Sequence, residues 1–177
     1  MFVPAGMHAT RSSDPRVVIR DRATGHGWNG GVFENRPSLS ANAYSAGPIV
    51  STITDMTRWA MALRAGPLIP RATRDQIWTP PTVTRGPVPP LSYGFGWVVD
   101  HERGHRAVLH SGGTPGFSSA IRHYPDEDLT VIVLANHGDR IPDHMPLEIT
   151  LAPRVQEDIK ARRNIKLHGR GTCGNRP

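Results

Sequence analysis

The chain has 177 residues, of which 37% are hydrophobic, and it carries a formal net charge of +6. This length supports one globular core or a share of a larger one. The positive charge comes mostly from scattered arginines, and the only dense basic cluster, 160–170, lies near the C-terminus. We therefore expect no nucleic-acid partner and rank a basic nucleic-acid binder last among the candidate functions.

The sequence also disfavours disulfides, metal sites and membrane spans. Cys173 is the only cysteine, so the sequence predicts neither an internal disulfide nor a cysteine metal cluster. His101 and His105 are four residues apart, but Gly104 between them favours a solvated hairpin over a metal pair. No stretch has the length and apolarity of a membrane span, and the first residues lack the pattern of a signal peptide. We predict no metal and no cofactor, and the compartment is left open.

Residues 1–50 are predicted to be mostly turn and loop, because glycine and proline recur throughout them. Within this region only Arg16–Arg20 has the composition of a short strand. A loop region of this length normally carries function or is supported by the rest of the fold.

The clearest predicted helix begins after Thr52, which forms a capping box with Asp55, and it ends at Gly66. This capping role is taken to explain Asp55 fully. The apolar face of the helix is predicted from residues at helical spacing: Ile53, Met56, Ala60 and Leu63. A second, shorter helix is predicted over 71–78, and a proline-rich connector over 80–90 completes the helical and loop part, 1–90.

The hydrophobic period changes from helical to two after Leu91, which predicts an antiparallel meander over 91–136. The aromatic residues Tyr93, Phe95 and Trp97 are interpreted as one core face of its first strand. The remaining strands are predicted at Arg106–His110, Phe117–Tyr124 and Leu129–Ala135. The fold class is therefore α+β, an antiparallel sheet flanked by helices. A terminal helix is predicted over 153–163, which closes one domain over 1–163, and a disordered tail over 164–177.

The most informative motif is His110-Ser111-Gly112-Gly113. It combines an imidazole and a hydroxyl with two residues that have no Cβ, so a substrate can approach the main chain closely. Such a strand resembles one wall of an acyl-transfer site, where backbone N–H groups stabilise an oxyanion. The alternative interpretation is a glycine-rich strand before a turn.

Four segments in order resemble the serine hydrolases of the beta-lactamase type, which include class C beta-lactamases, D-alanyl-D-alanine carboxypeptidases and related esterases. The segments are VPAGMHAT, SAGPIVSTITDMTRWAMAL, YGFGW and HSGGTPGFSSAIRHYPDEDLTVIVLAN. The resemblance extends from about Phe2 to Asn136 and covers the C-terminal half of that fold only. It therefore implies the C-terminal part of a beta-lactamase/transpeptidase-like fold, and an incomplete one.

The resemblance also implies roles for residues of the strand motif. His110, Ser111 and Gly112 match the family's Lys-Thr-Gly, which binds substrate, and Gly113 by position supplies an oxyanion-hole N–H. The family's nucleophile and base lie in a Ser-x-x-Lys motif. No serine of this chain has lysine three positions later. The first two motifs are therefore expected upstream of Met1, and this chain is expected to hold no catalytic residue.

His110 also departs from the family pattern, because it stands where the motif has lysine. An imidazole is mostly uncharged at neutral pH, so it anchors a substrate carboxylate less well than an ammonium group. This departure favours esters or amides without that anion. The leading hypothesis is that the chain is a C-terminal fragment of a hydrolase and is inactive alone. The complete enzyme, formed with a complementing N-terminal half, acts in this hypothesis on a small-molecule or peptide substrate. The alternative is a non-catalytic module that binds a peptide, glycan or protein in the same groove.

Overall fold

A computed structural model describes residues 2–14, 16–36, 47–66, 68–79, 92–102, 104–138, 156–157 and 160. A short 3-10 turn at Val3–Ala5 precedes eight strands and two helices in the described part of the chain. The elements are β1 (Arg11–Ser12), β2 (His26–Asn29), β3 (Val32–Asn35), β4 (Ile49–Val50), α1 (Ile53–Ala65), α2 (Arg71–Ile77), β5 (Val98–Glu102), β6 (His105–Thr114), β7 (Phe117–Tyr124) and β8 (Leu129–Ala135). The α+β class is confirmed.

The four strands β5 to β8 form one antiparallel sheet in chain order, which confirms the predicted meander. The bounds of β7 and β8 agree with their predictions, since the turn at 125–128 separates them and the run of β8 is rich in β-branched residues. Strand β6 is longer than predicted and carries the His110–Gly113 motif within it.

Helix α1 is confirmed at both ends. The Thr52 side chain accepts a hydrogen bond from the Asp55 backbone N–H, and Gly66 ends the helix with a φ of 87°. Its predicted apolar face is wrong in part, because Ile53 is half exposed and the buried side is centred on Asp55 and Ala62. Helix α2 is confirmed, with Trp78 as its C-terminal cap residue.

Asp55 is only 1% exposed, and its carboxylate does more than cap a helix. It accepts hydrogen bonds from Ala9 N–H (2.8 Å), Thr10 Oγ1 (2.9 Å) and an Arg58 guanidinium nitrogen (2.8 Å). Burial raises the pKa of Asp55, but these hydrogen bonds outweigh it and hold the pKa below its ordinary value. The interpretation of Asp55 as a cap alone is therefore wrong, because this residue also ties the N-terminal loop to α1.

The strand predicted at Arg16–Arg20 does not form in its described residues. Val17 and Val18 are 55% and 94% exposed, so no core is available there to favour extended pairing. The strand of this region is β1 instead, which pairs antiparallel with β4 at Arg11↔Val50 and Ser12↔Ile49.

The prediction of an aromatic strand face at Tyr93, Phe95 and Trp97 is also wrong. Strand β5 begins only at Val98, and Gly96 has a φ of 82°, which turns the chain before it. Trp97 is 9% exposed and belongs to the core, whereas Phe95 is 74% exposed. The period of two was therefore a chance alternation of glycine and aromatic residues.

Two apolar clusters lie on opposite faces of the sheet. Trp97, Val108 and Ile121 pack with Trp78 at the end of α2 and with residues of α1. On the other face Ala107 and Val131 pack with Tyr124.

A charged group is buried beside the second cluster. The Tyr124 hydroxyl donates to Glu102 Oε2 at 2.6 Å, and Arg122, 5% exposed, forms an ion pair with the same carboxylate. Pairing of this kind offsets the cost of placing charges away from water.

Several predictions fall wholly or partly outside the described residues. The connector 80–90 and the tail 164–177 lie outside them. Of the helix predicted over 153–163, Gln156, Glu157 and Lys160 are described, and all three have helical backbone. Within the described ranges no helix combines the length and apolarity required to cross a bilayer.

The role of Asp55 can be tested by the substitution Asp55→Ala. It leaves the N–H of Ala9 and the hydroxyl of Thr10 without their acceptor, so we expect the melting temperature to fall by about 5–10 °C. Asp75→Ala is the matched control, because it removes an exposed carboxylate from α2, and we expect a shift of at most about 2 °C. Equal shifts in both variants would show that Asp55 does not anchor the loop.

His123 makes the stability depend on pH. Burial lowers its pKa from 6.5 to about 4, and its Nδ1 lies 2.8 Å from Thr130 Oγ1. His123 of the unfolded chain therefore binds a proton more readily than His123 of the folded chain. The contribution of neutral His123 to the free energy of unfolding is complete above pH 6.5 and is lost as the pH falls towards 4. Urea unfolding should show a loss of about 2 kcal/mol between pH 7 and pH 5. We expect His123→Gln to lose most of this difference and the exposed-site control His101→Gln to retain it.

Candidate active site

The hairpin formed by β2 and β3 packs its base against the end of the main sheet. Its two strands pair from His26↔Asn35 to Asn29↔Val32 around the turn Gly30–Gly31. At its base the His26 N–H donates to the carbonyls of Asn136 (3.0 Å) and Gly116 (3.3 Å), and the Gly138 N–H donates to the His26 carbonyl (2.7 Å). The hairpin is therefore held by main-chain hydrogen bonds to both the β6–β7 turn and the end of β8.

This junction requires glycine at three positions: Gly25, Gly116 and Gly138, where a Cβ on Gly138 would lie 2.6 Å from Gly116 N. A Cβ on Gly116 would lie 2.5 Å from the Arg36 carbonyl oxygen and 2.8 Å from Gly25 Cα. A Cβ on Gly25 would lie 2.6 Å from the Phe117 ring and 2.9 Å from Gly116 Cα. Gly116 also has a φ of 83°, which disfavours any residue with a side chain. The backbones can approach this closely only because none of the three residues has a Cβ.

A cleft of about 620 Å³ opens between the hairpin and the sheet. One side is formed by β6, the following turn and β7, and the other by the hairpin and its base. The lining residues are Gly27, Trp28, Arg36, Ser111, Gly112, Gly113, Thr114, Pro115, Gly116, Ser119 and Gly138. Three of the four residues singled out in the sequence, Ser111, Gly112 and Gly113, therefore lie at this cleft.

The register of β6 determines where its N–H groups point. The pair Thr114↔Phe117 closes the two-residue turn at 115–116 and is hydrogen-bonded. From this pair back along the strands, non-hydrogen-bonded and hydrogen-bonded pairs alternate. Thr114 and Gly112 thus direct their N–H groups towards β7, whereas Gly113 and Ser111 direct theirs to the opposite side.

No described strand covers that opposite side of the motif. Strand β5 begins at Val98, which is opposite Leu109, so its pairing with β6 ends before Ser111. In the described part of the chain, the N–H groups of Ser111 and Gly113 therefore face an open sheet edge beside the cleft. A backbone N–H donor at such an open edge can stabilise a developing oxyanion.

His110 does not line the cleft. It is exposed, and its Nε2 lies 3.2 Å from the Tyr93 hydroxyl. The two rings meet edge-on, with centroids 6.2 Å apart. Tyr93, which the sequence placed in the core, is 40% exposed and is instead the partner that orients the imidazole.

Sequence reasoning missed two further cleft residues, Trp28 and Arg36. Both belong to the hairpin region that was predicted to be loop. The signal was present, because Gly30-Gly31 between two short runs is typical of a two-residue hairpin turn. In the described ranges no group of three or more His, Cys, Asp or Glu residues is arranged to hold a metal ion.

The architecture is that of penicillin-binding proteins and their relatives. An octameric penicillin-binding protein homologue from Pyrococcus abyssi superimposes with a TM-score of 0.69 at 20% identity, over 85% of this chain and 35% of that one. A D-stereospecific amidohydrolase from Streptomyces superimposes with a TM-score of 0.64 at 21% identity, over 86% and 46%. At these identities the likeness establishes the fold alone.

Sequence comparison identifies the family. The Beta-lactamase family model matches residues 1–153, so this chain belongs to the beta-lactamase family of serine hydrolases and penicillin-binding proteins. It is 30% identical over 151 residues to penicillin-binding protein 4* of Bacillus subtilis (strain 168), which is 77% of this chain and 33% of that protein. It is 31% identical over 147 residues to unguisins hydrolase ungD' of Aspergillus campestris, over 75% and 27%. The chain thus spans about a third or less of the length of these curated relatives.

A matched pair of glycine substitutions tests the junction. Gly116→Ala forces a Cβ against backbone atoms at a positive φ, so we expect a loss of at least about 2 kcal/mol in the free energy of unfolding. Gly112→Ala places its Cβ 3.4 Å from Ser119 Oγ, which is ordinary contact, so the free energy of unfolding should change by at most about 0.5 kcal/mol. Urea titrations measure both values, and a stable Gly116→Ala variant would contradict the proposed backbone contact.

Proposed function

We propose that this chain supplies the substrate-binding wall of an acyl-transfer site in a beta-lactamase-related serine hydrolase. In this proposal Ser111 and Gly112 contact the acyl substrate, and Gly113 donates its N–H to the oxyanion. His110 completes the strand motif from outside the cleft, where its imidazole meets Tyr93. The observation that carries the proposal is the edge of β6 that no described strand covers, where the Gly113 N–H lies beside the cleft.

The chemistry follows from what an acyl-transfer site must stabilise. A serine oxygen attacks the substrate carbonyl, the carbonyl oxygen becomes an oxyanion, and the leaving group departs with a proton from the general acid. Water or another acceptor then releases the acyl group from the serine. The Gly113 N–H contributes only where negative charge develops, so its effect falls on the transition state rather than on substrate binding.

The nucleophile and base are proposed to come from a segment outside these 177 residues. Neither of the two lysines, Lys160 and Lys166, follows a serine by three positions. The chain alone is therefore proposed to be inactive and to require a complementing N-terminal half. Strand β8 is consistent with that requirement, because it lies at an edge of the described sheet and its Leu134 is 41% exposed.

The proposed substrates are esters, amides or beta-lactams. Two of the similar proteins are named for amide-directed activities, the D-stereospecific amidohydrolase of Streptomyces and a D-amino acid amidase of Ochrobactrum anthropi. An amide or ester substrate fits a site whose strand motif carries an imidazole in place of the ammonium group.

A fluorophosphonate probe tests this function, because it labels only an activated serine. We expect the purified chain alone to remain unlabelled. The coding DNA immediately upstream of Met1 is then expressed together with this chain. We expect labelling of a serine in the upstream polypeptide, and only in the presence of this chain.

The variant Gly112→Ala tests whether the cleft is the acyl site. We expect it to reduce this labelling by about tenfold or more while the fold is retained, because its methyl group narrows the cleft. Stoichiometric labelling of a serine within the 177 residues would refute the proposal. Failure of the co-expressed pair to react would refute it as well.

A further inference from the structure

The turn of the β2–β3 hairpin contains Asn29 followed by Gly30, and this is the only Asn-Gly pair in the sequence. Asparagine is a chemically labile residue, and a following glycine has no side chain to shield its backbone nitrogen from the amide carbon. We propose that Asn29 is a self-modification site, at which the Gly30 nitrogen attacks the side-chain amide and the residue is converted to aspartate or isoaspartate. Asn29 is not among the described residues that line the cleft, so this reaction is independent of the proposed acyl site.

The reaction requires no reactant other than water. The Gly30 nitrogen loses its proton and forms a bond to Asn29 Cγ, the bond from Cγ to Nδ2 breaks, and ammonia leaves with that proton. The product is a cyclic imide. Water then opens the imide at either of its carbonyls. Attack at Cγ gives aspartate, and attack at the main-chain carbonyl gives isoaspartate, in which the chain continues through the side-chain carbon.

The hairpin turn leaves the attacking nitrogen accessible. Asn29 and Val32 are the last pair of the two strands, so Gly30 and Gly31 are the central residues of the turn. In a two-residue turn the N–H of the first central residue takes no part in the ladder between the strands. Among the described residues beyond the adjacent ones, no heavy atom would lie within 4 Å of a Cβ added to Gly30 or Gly31. The Gly30 nitrogen therefore meets little steric resistance as it approaches Asn29 Cγ.

Glu34 restrains the amide that reacts. Asn29 Nδ2 donates to Glu34 Oε1 at 2.7 Å across the hairpin, and both side chains are exposed. An amide that donates to a carboxylate has more electron density at its carbon, so that carbon is a weaker electrophile. The hydrogen bond also limits rotation of the side chain. Because both groups are exposed, water competes for this hydrogen bond, so Glu34 slows the reaction without preventing it.

The product changes the charge of the hairpin beside the cleft. A carboxylate at position 29 replaces the amide that donates to Glu34, so an attraction becomes a repulsion between like charges on neighbouring strands. Isoaspartate also lengthens the main chain by one carbon next to Trp28, which lines the cleft. Both products therefore weaken the pairing of β2 with β3.

The experiment incubates the full chain at neutral and mildly alkaline pH and follows each asparagine by peptide mass spectrometry. Digestion with pepsin at acidic pH avoids further conversion during digestion. We expect the peptide with Asn29 to gain the mass difference between a carboxyl and an amide group. This conversion should be at least about tenfold faster than at Asn35 or Asn136, which precede the larger residues Arg36 and His137.

Two further readouts identify the mechanism. In water enriched in heavy oxygen, the product should carry one heavy oxygen atom, because water opens the imide. The rate should rise by about tenfold per pH unit, because the attacking nitrogen must lose its proton and remains mostly protonated over this range. A rate that is independent of pH, or a rate at Asn29 no greater than at Asn35 and Asn136, would overturn the proposal.

Variants of the reacting groups provide the controls. Asn29→Gln keeps an amide but places it one carbon further from the nitrogen, so conversion at this position should fall by at least about tenfold. Glu34→Ala removes the restraint and should accelerate conversion by about two- to fivefold. Asp75→Ala removes an exposed carboxylate from α2 and should leave the rate unchanged. An unchanged or slower rate in Glu34→Ala would refute the restraining role of Glu34.

The effect of the product is measured separately with Asn29→Asp. We expect backbone amides of the hairpin to exchange hydrogen about threefold faster in this variant than in the unmodified chain. Asn29→Gln is the uncharged control and should exchange as the unmodified chain does. Equal exchange in Asn29→Asp and Asn29→Gln would refute the weakening of the hairpin by charge.

Discussion

The close approach of the backbones at Gly25 and Gly116 is the constraint on which the site depends. At this point the base of the β2–β3 hairpin crosses the turn between β6 and β7, with no side chain between the two segments. The hairpin supplies Trp28 and Arg36, while β6 supplies the glycine-rich motif. Because the cleft lies between these elements, its shape is set by main-chain hydrogen bonds and by the absence of a Cβ at Gly25, Gly116 and Gly138. Side-chain packing plays a smaller part, since neither Trp28 nor Arg36 is buried.

Other contacts in the described structure fix the positions of the elements that carry this junction. Asp55 joins the N-terminal loop to α1, and the apolar cluster around Trp97 and Val108 joins α1 and α2 to one face of the sheet. On the other face Glu102 pairs with Arg122 beside Tyr124. These buried polar groups are satisfied by partners far away in sequence, so each fixes the relative position of two elements.

The site divides its tasks between backbone and side chains. The N–H groups of Ser111 and Gly113 belong to the main chain of β6, and the strand register fixes their direction. Arg36, in contrast, supplies the one ionisable side chain among the described residues that line the cleft. His110 lies outside the cleft, where its Nε2 is 3.2 Å from the Tyr93 hydroxyl.

Local sequence determined those parts of the protein whose structure depends on neighbouring residues. The capping signal at Thr52, the stop at Gly66, and strands β7 and β8 with the turn between them are all short-range features, and the structure has them as predicted. The family, too, followed from four segments in order. Elements that depend on distant partners were mispredicted. Arg16–Arg20 has strand composition but no sheet beside it, and Tyr93–Trp97 alternates in sequence but is turned at Gly96. Only the tertiary structure placed Arg36 and Gly112 at the same cleft, because they are 76 positions apart in the sequence. Their elements meet through backbone atoms, and such a contact produces no pattern of side chains in the sequence.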